Sequence, residues 1–173
     1  MFGFMGKILS VDLMGQTIRV IEKQASFYKH YLVGAFLAAK LFEEAVAGIV
    51  QPTPLAPENP IIFATGPLAG TNLCGSTRVN VLSLSPEATG IYTSQGGGEF
   101  GPDIKRAGYD ALVIRGESSD PVYLDIHNDA VFFKDAQTVK AVNKNGVTGF
   151  LQSYQQNSQS FFGVLRTYGT GGI

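Results

Sequence analysis

The chain has little sulfur, little imidazole and little charge: one cysteine, two histidines and 16% Asp, Glu, Lys and Arg among 173 residues. A single thiol, Cys74, excludes an internal disulfide framework and a four-thiolate zinc or iron–sulfur site built by this chain alone. It reads as a small buried thiol in a loop. His30 falls beside Lys29 in a helical stretch and His127 falls in a turn; neither reads as having a Cys, Asp or Glu partner at metal-ligand spacing. The net charge is −1, with Lys and Arg scattered. That excludes the basic footprint of a nucleic-acid binder and the polybasic patch of a membrane-surface protein. The longest uncharged apolar stretch, Tyr31 to Ala39, is far too short to span a bilayer. Met1 to Ile8 carry no apolar core of a secretory signal. These absences lead to the expectation of a soluble, cytoplasmic protein.

What is present is apolar surface and glycine: 45% hydrophobic residues and 21 glycines. This suits a compact, turn-rich fold, and the length suits one domain. Lys7 to Leu13 and Thr17 to Ile21 alternate with period two around Met14-Gly15-Gln16, which predicts a β-hairpin. Ser26 is placed as a helix N-cap. From Phe27 to Ala47 the residues Tyr28, Tyr31, Leu32, Ala35, Ala39, Phe42 and Val46 recur at helical spacing, which predicts one long core-packing helix. Four prolines between Gln51 and Pro60 mark an irregular connector. Strands are expected at Ile61–Ala64, Val79–Leu84, Ile91–Thr93, Ala111–Arg115, Val122–Ile126 and Val131–Lys134. A short helix is expected from Glu99 to Ala107, with Pro102 in its first turn and Gly108 beyond its end. Asp103, Lys105 and Arg106 read as a solvated charge set on it. The texture changes after Thr138, where Asn and Gln become frequent and a helix is expected from Val147 to Tyr154. Residues 1–136 are therefore expected to form the domain and 137–173 a divergent, partly helical tail. The class is α+β with mainly antiparallel sheets, one long helix and one or two short ones.

Three segments concentrate glycine and small hydroxyls at strand ends: Gly66 to Thr71, Ser76 to Val81, and Ser94 to Gly101. Glycines let backbone N–H groups approach a ligand and form anion-binding concavities. Gly96-Gly97-Gly98 lies between a strand and a helix start, where unpaired N–H groups favour phosphate, and Arg78 offers a planar, permanently charged fork. Such clusters are also plain turn geometry, and an isolated arginine is also a surface ion-pair partner; spacing alone leaves both readings open.

In order, Phe63 to Thr71, Arg78 to Val81 and Gly97 to Ala111 resemble the N-terminal domain of the aldehyde:ferredoxin oxidoreductase family. Ala107-Gly108-Tyr109-Asp110-Ala111 and the Gly98-Glu99-Phe100-Gly101 before it carry most of the likeness. The hairpin from Gly6 to Val20 and Val33-Gly34 add to it, so the resemblance runs from about residue 5 to 135. It implies a saddle of two sheets against which a tungsto- or molybdo-bis-pyranopterin lies. It implies that Arg78 contacts the pterin between it and a 4Fe-4S cluster, and that Gly97, flanked by Gly96 and Gly98, meets a pterin phosphate. Gln95 stands where the family usually has asparagine, whose backbone carbonyl ligates a magnesium ion (Mg) bridging the two phosphates.

The sequence departs from the family in three ways. The cluster cysteines and the aspartate motifs of the later domains are not in it. Nor is the second glycine-arginine-rich stretch, which gives the other magnesium carbonyl. Leu165 to Gly172 looks like the opening of the family's second domain. No catalytic residue is assigned. The expectation is a cofactor-binding domain or subunit of an aldehyde-oxidising enzyme linked to ferredoxin, completed by a second subunit or acting as a homo-oligomer. The alternatives are a relic or interaction module that keeps the fold without the cofactor, and a phosphate- or nucleotide-binding domain unrelated to pterins.

Overall fold

In the computed structural model the described residues are 3–71, 73–87, 90–127 and 130–135, with the backbone of two strands in 151–156 and 159–164. The hairpin forms as expected: β1 (Lys7–Asp12) pairs antiparallel with β2 (Thr17–Glu22). The Asp12 carboxylate closes its turn by accepting from the amides of Met14 and Gly15 at 3.0 and 3.2 Å.

The long helix does not form as one piece. The chain makes α1 (Ala25–Tyr31) and α2 (Ala35–Ala45), separated by Leu32 at φ 54° and Gly34 at φ 82°. Helical periodicity runs through the break because both halves bury the same face, so it gives no sign of the break. Ser26 lies inside α1 rather than capping it; Gln24 is the cap residue, with no side-chain cap bond.

The strands β3 (Ile61–Thr65), β4 (Val79–Leu84), β5 (Ile91–Gly96) and β6 (Ala111–Arg115) complete one sheet of order β2-β1-β6-β3-β4-β5. All its pairings are antiparallel except β1 with β6. The short helix α3 (Phe100–Arg106) lies between β5 and β6. Beyond β6, β7 (Val122–His127) and β8 (Ala130–Asp135) form an antiparallel hairpin. β9 (Leu151–Gln156) and β10 (Gln159–Val164) form another, and β10 lies along β7. The helix expected from Val147 to Tyr154 is therefore corrected: Leu151 to Tyr154 are in β9, and 147–150 lie outside the described residues. Tyr154, Phe161, Phe162 and Val164 supply the β-formers that the Asn/Gln-rich composition masked.

The fold is α+β in three layers. On one sheet face, Ile8, Ile62, Ala64, Leu82, Ala111 and Val113 meet Tyr28, Leu37, Ala38, Leu41 and Phe42 of α1 and α2. On the other, Leu9, Val11, Phe63, Leu112 and Ile114 meet Phe100 and Ile104 of α3 and Leu124 and Ile126 of β7. Phe63 and Phe100 meet edge to face at 5.5 Å. Adjacent residues of β1 and β6 go to opposite cores, and β6 accordingly reads as a continuous apolar run from Ala111 to Ile114. Among the described residues, no helix is long and apolar enough to cross a membrane.

Candidate functional site

The site is built where β4 and β5 end. Their ladder sets Asn80 opposite Gln95 and Val79 opposite Gly96. It stops at Gly96, so Gly97 and Gly98 leave the sheet beside Arg78, the residue before β4. The chain then enters α3, whose first turn is pressed against the start of β4. A Cβ on Gly101 would lie 2.8 Å from the Thr77 carbonyl oxygen and 3.4 Å from the Arg78 carbonyl. Only glycine allows that approach.

Arg78 is exposed, but its guanidinium is not loose. Nη1 donates to Gln95 Oε1 at 3.2 Å, and Gln95 Nε2 donates to Asn80 Oδ1 at 2.8 Å. Asn80 is buried, so the outer two side chains hang from an anchored one. The glycines beside Arg78 open outward: a Cβ on Gly98 would meet nothing within 4 Å, and one on Gly97 only the Thr77 hydroxyl at 4.0 Å. The space a side chain would fill is thus open beside a held cation. That is the donor chemistry of a phosphate site, and it fits the phosphate of a pterin cofactor. Arg78, Gln95, Gly96, Gly97 and Gly98 all come together at this one corner.

The helix start contributes less than its position suggested. α3 has seven residues, and its own carboxylates already occupy its positive end: Glu99 at the cap and Asp103 in the first turn. Arg106 Nη1 binds them at 3.1 and 2.7 Å, and the Asp103 hydrogen bond in particular holds the guanidinium above its ordinary pKa. An anion at this corner would therefore depend on Arg78 and the glycine backbone rather than on the helix end. For magnesium, Gln95 would give one backbone carbonyl, whereas the ion demands an octahedron of oxygens. Among the described residues, no group of three or more His, Cys, Asp or Glu could hold a metal ion.

Three readings of chemical side chains need correction. Cys74 is exposed, in the loop that precedes β4, not buried. Asp103 and Lys105 are buried at 3% and 6% exposure, not solvated. His127 ends β7 with Nε2 2.9 Å from Asp125 Oδ1, two residues back on the same strand face, where Lys134 also reaches Asp125. The Asp125 hydrogen bond is the main reason the Lys134 pKa is raised.

Lys105 belongs to a feature the sequence reading missed. α3 ends in a Schellman cap: Gly108 (φ 93°) donates to the Lys105 carbonyl and Tyr109 to the Ile104 carbonyl, while Tyr109 and Ile104 share one core. Next, Asp110 is fully buried. Its carboxylate pairs with Lys105 and accepts from the amides of Met5 at 2.9 Å and Gly6 at 2.8 Å; Lys105 also donates to the Gly3 carbonyl at 3.1 Å. Tyr28 is buried near the same carboxylate, and burial first, then Asp110, push its hydroxyl well above the ordinary range. Ala107 to Ala111, which carried most of the family likeness, is therefore a structural latch joining α3, β6 and the start of the chain. The i,i+5 spacing of Lys105 and Asp110 gives no periodic signal, so only the folded cap reveals the pair.

Comparison with known proteins agrees with this architecture. The family described as "Aldehyde ferredoxin oxidoreductase, N-terminal domain" matches residues 8–164. A "Tungsten-containing aldehyde ferredoxin oxidoreductase" of Pyrococcus abyssi is 39% identical over 143 residues, 80% of this chain and 23% of that protein. An "Aliphatic sulfonate oxidoreductase, WOR-like subunit" of Pyrococcus furiosus is 36% identical over 137 residues, 79% of this chain and 22% of that protein. Among solved structures, the active-site complex BamBC of benzoyl coenzyme A reductase with 1,5-dienoyl-CoA matches with a TM-score of 0.74 and 36% identity. That match covers 80% of this chain and 21% of the other. The chain thus spans under a quarter of the length of these relatives. With its three-layer fold and its glycine corner, this chain belongs to the aldehyde ferredoxin oxidoreductase family and carries that family's N-terminal domain.

Proposed function

We infer that the domain forms one wall of a tungsten- or molybdenum-pterin site. Arg78 and the backbone of Gly96, Gly97 and Gly98 take a cofactor phosphate, and the Gln95 carbonyl contributes one oxygen to a magnesium ion. The observation that supports this most is the guanidinium of Arg78, held by a neighbouring amide beside two glycines whose outward side is open. When bound, the cofactor supplies two-electron oxidation chemistry; the protein supplies binding and orientation. This chain's residues neutralise phosphate charge through a fixed cation and hold the ligand against a rigid sheet end. Oxidation of an aldehyde, passage of electrons through a 4Fe-4S cluster to ferredoxin, a cytoplasmic setting and a second subunit completing the site are part of the same reading. The relatives' names, tungsten-containing oxidoreductases and one subunit among them, support it.

The test is elemental and pterin analysis of the native protein together with any polypeptide that co-purifies. Tungsten or molybdenum near one per complex, with pterin phosphate, is the expected result. A complex free of both metals and of pterin would replace this reading with that of a cofactor-free interaction module.

A further inference from the structure

We propose that Gly34, Asn80 and Gln95 form a positioning relay that fixes the guanidinium of Arg78. The proposal rests on Arg78 being the phosphate contact inferred above and adds what holds it there.

The strand register sets the relay's geometry. Val79 packs into the core beneath α3, so its neighbours Arg78 and Asn80 face the opposite side of the sheet, the side carrying α1 and α2. Gln95 pairs with Asn80 across the ladder and shares that face. Asn80 also pairs with Ala64, which packs under α2. At the same place the helical segment breaks at Gly34, and a Cβ there would lie 3.0 Å from Asn80 Nδ2. The break therefore lets the chain pass over Asn80 with no side chain pressing on it. The Asn80 carboxamide is left with Oδ1 accepting from Gln95 Nε2 at 2.8 Å, and this orients the Gln95 amide so that Oε1 accepts from Arg78 at 3.2 Å. Meanwhile Gly101 packs against the backbone of Thr77 and Arg78 from the α3 side. The arginine is gripped through its backbone from one face of the sheet and through its side chain from the other.

Side-chain length gives the relay a direct test. Arginine loses substantial rotamer freedom when ordered, and holding it in place beforehand removes that cost from ligand binding. Gln95→Asn shortens the amide by one methylene and leaves the backbone carbonyl where it is. Gly34→Ala puts a methyl against Asn80 Nδ2 and strains a left-handed position, so it also bears on folding. Gln95→Asn lies on an exposed strand and keeps the test independent of that.

The experiment uses the native protein, with any co-purifying subunit, labelled with 15N-arginine. The first readout is rotation of the Arg78 guanidinium by NMR; the second is affinity for inorganic pyrophosphate by calorimetry. Arg78 rotation is expected to be slow in the parent protein and fast in Gln95→Asn and in folded Gly34→Ala. Pyrophosphate affinity is expected to fall roughly threefold to tenfold in Gln95→Asn, the loss of one hydrogen bond to a charged group at an exposed site, and further in Arg78→Ala, where adding Gln95→Asn is expected to make no difference. Fast rotation in the parent, or slow rotation that survives Gln95→Asn, overturns the relay whatever binds there. If rotation behaves as expected but Arg78→Ala leaves pyrophosphate affinity unchanged, the phosphate reading of Arg78 fails and the relay has no ligand to serve.

Discussion

The two ends of α3 use charge in opposite ways. At its C-terminal end, Lys105 and Asp110 are buried together, and Asp110 also takes two backbone amides from the start of the chain. Nothing there is open to a ligand, and every bond ties one segment of the fold to another. At its N-terminal end, Arg78 is exposed, leans on a single amide, and borders two glycines with free space in front of them. A charge satisfied on all sides serves the fold; a charge held on one side and open on the other is what the proposed phosphate site requires. Gly98 and Lys105 lie only seven positions apart along the chain, so chain distance does not distinguish the two roles.

The largest effect should come from the latch. Asp110→Asn keeps the volume but leaves Lys105 as an uncompensated buried cation, and unfolding by guanidinium chloride should show a loss of about 3–5 kcal/mol. A loss near zero would mean that the pair contributes nothing and the comparison fails on its buried side. Gly101→Ala tests a position where α3 touches the backbone of Thr77 and Arg78. A methyl 2.8 Å from the Thr77 carbonyl forces helix and strand apart, at a cost of ~1–3 kcal/mol. Thermal denaturation should fall, and pyrophosphate binding should weaken with it because Arg78 moves.

A smaller effect is expected from Tyr28, whose folded-state pKa is raised above its ordinary 10.0, first by burial and then by Asp110. A raised pKa means that the folded chain keeps a proton the unfolded chain gives up. The contribution is therefore fully present below about pH 10 and is lost as pH climbs above it. Stability measured from pH 8 to 11 should decline at the upper end, and Tyr28→Phe should flatten that decline. The smallest effect on stability belongs to Arg78→Ala, within ~0.5 kcal/mol because the side chain is exposed, while pyrophosphate binding is lost. A large loss of stability from that substitution would move Arg78 from the site to the fold.

Much of this was legible beforehand. Period-two alternation located β1 and β2, short β-forming runs bounded by turn residues located β4, β6, β7 and β8, and glycine spacing located the corner at Gly96 to Gly98, because all these patterns arise from local geometry. Arg78 was legible by resemblance, and its neighbour Gln95 was noticed only for its carbonyl. The break at Gly34 was not legible: a helical stripe looks the same whether one helix or two bury it, and what demands the glycine is Asn80, distant in sequence. Cys74 and Asp103 were misjudged for the same reason, since burial is a property of neighbours. The apolar tyrosine and phenylalanine of β9 and β10 were outvoted by the polar residues between them.

The sequence by itself determined the family, the α+β class and the position of the glycine corner, each of which is written in contiguous residues. Only the tertiary structure decided what the charges do. Whether a carboxylate such as Asp110 is a ligand or a latch depends on which amides the fold brings to it. Whether an arginine such as Arg78 is free or held depends on a strand register that sets Gln95 and Asn80 beside it. Those are contacts between segments far apart in the chain, and no local pattern encodes them.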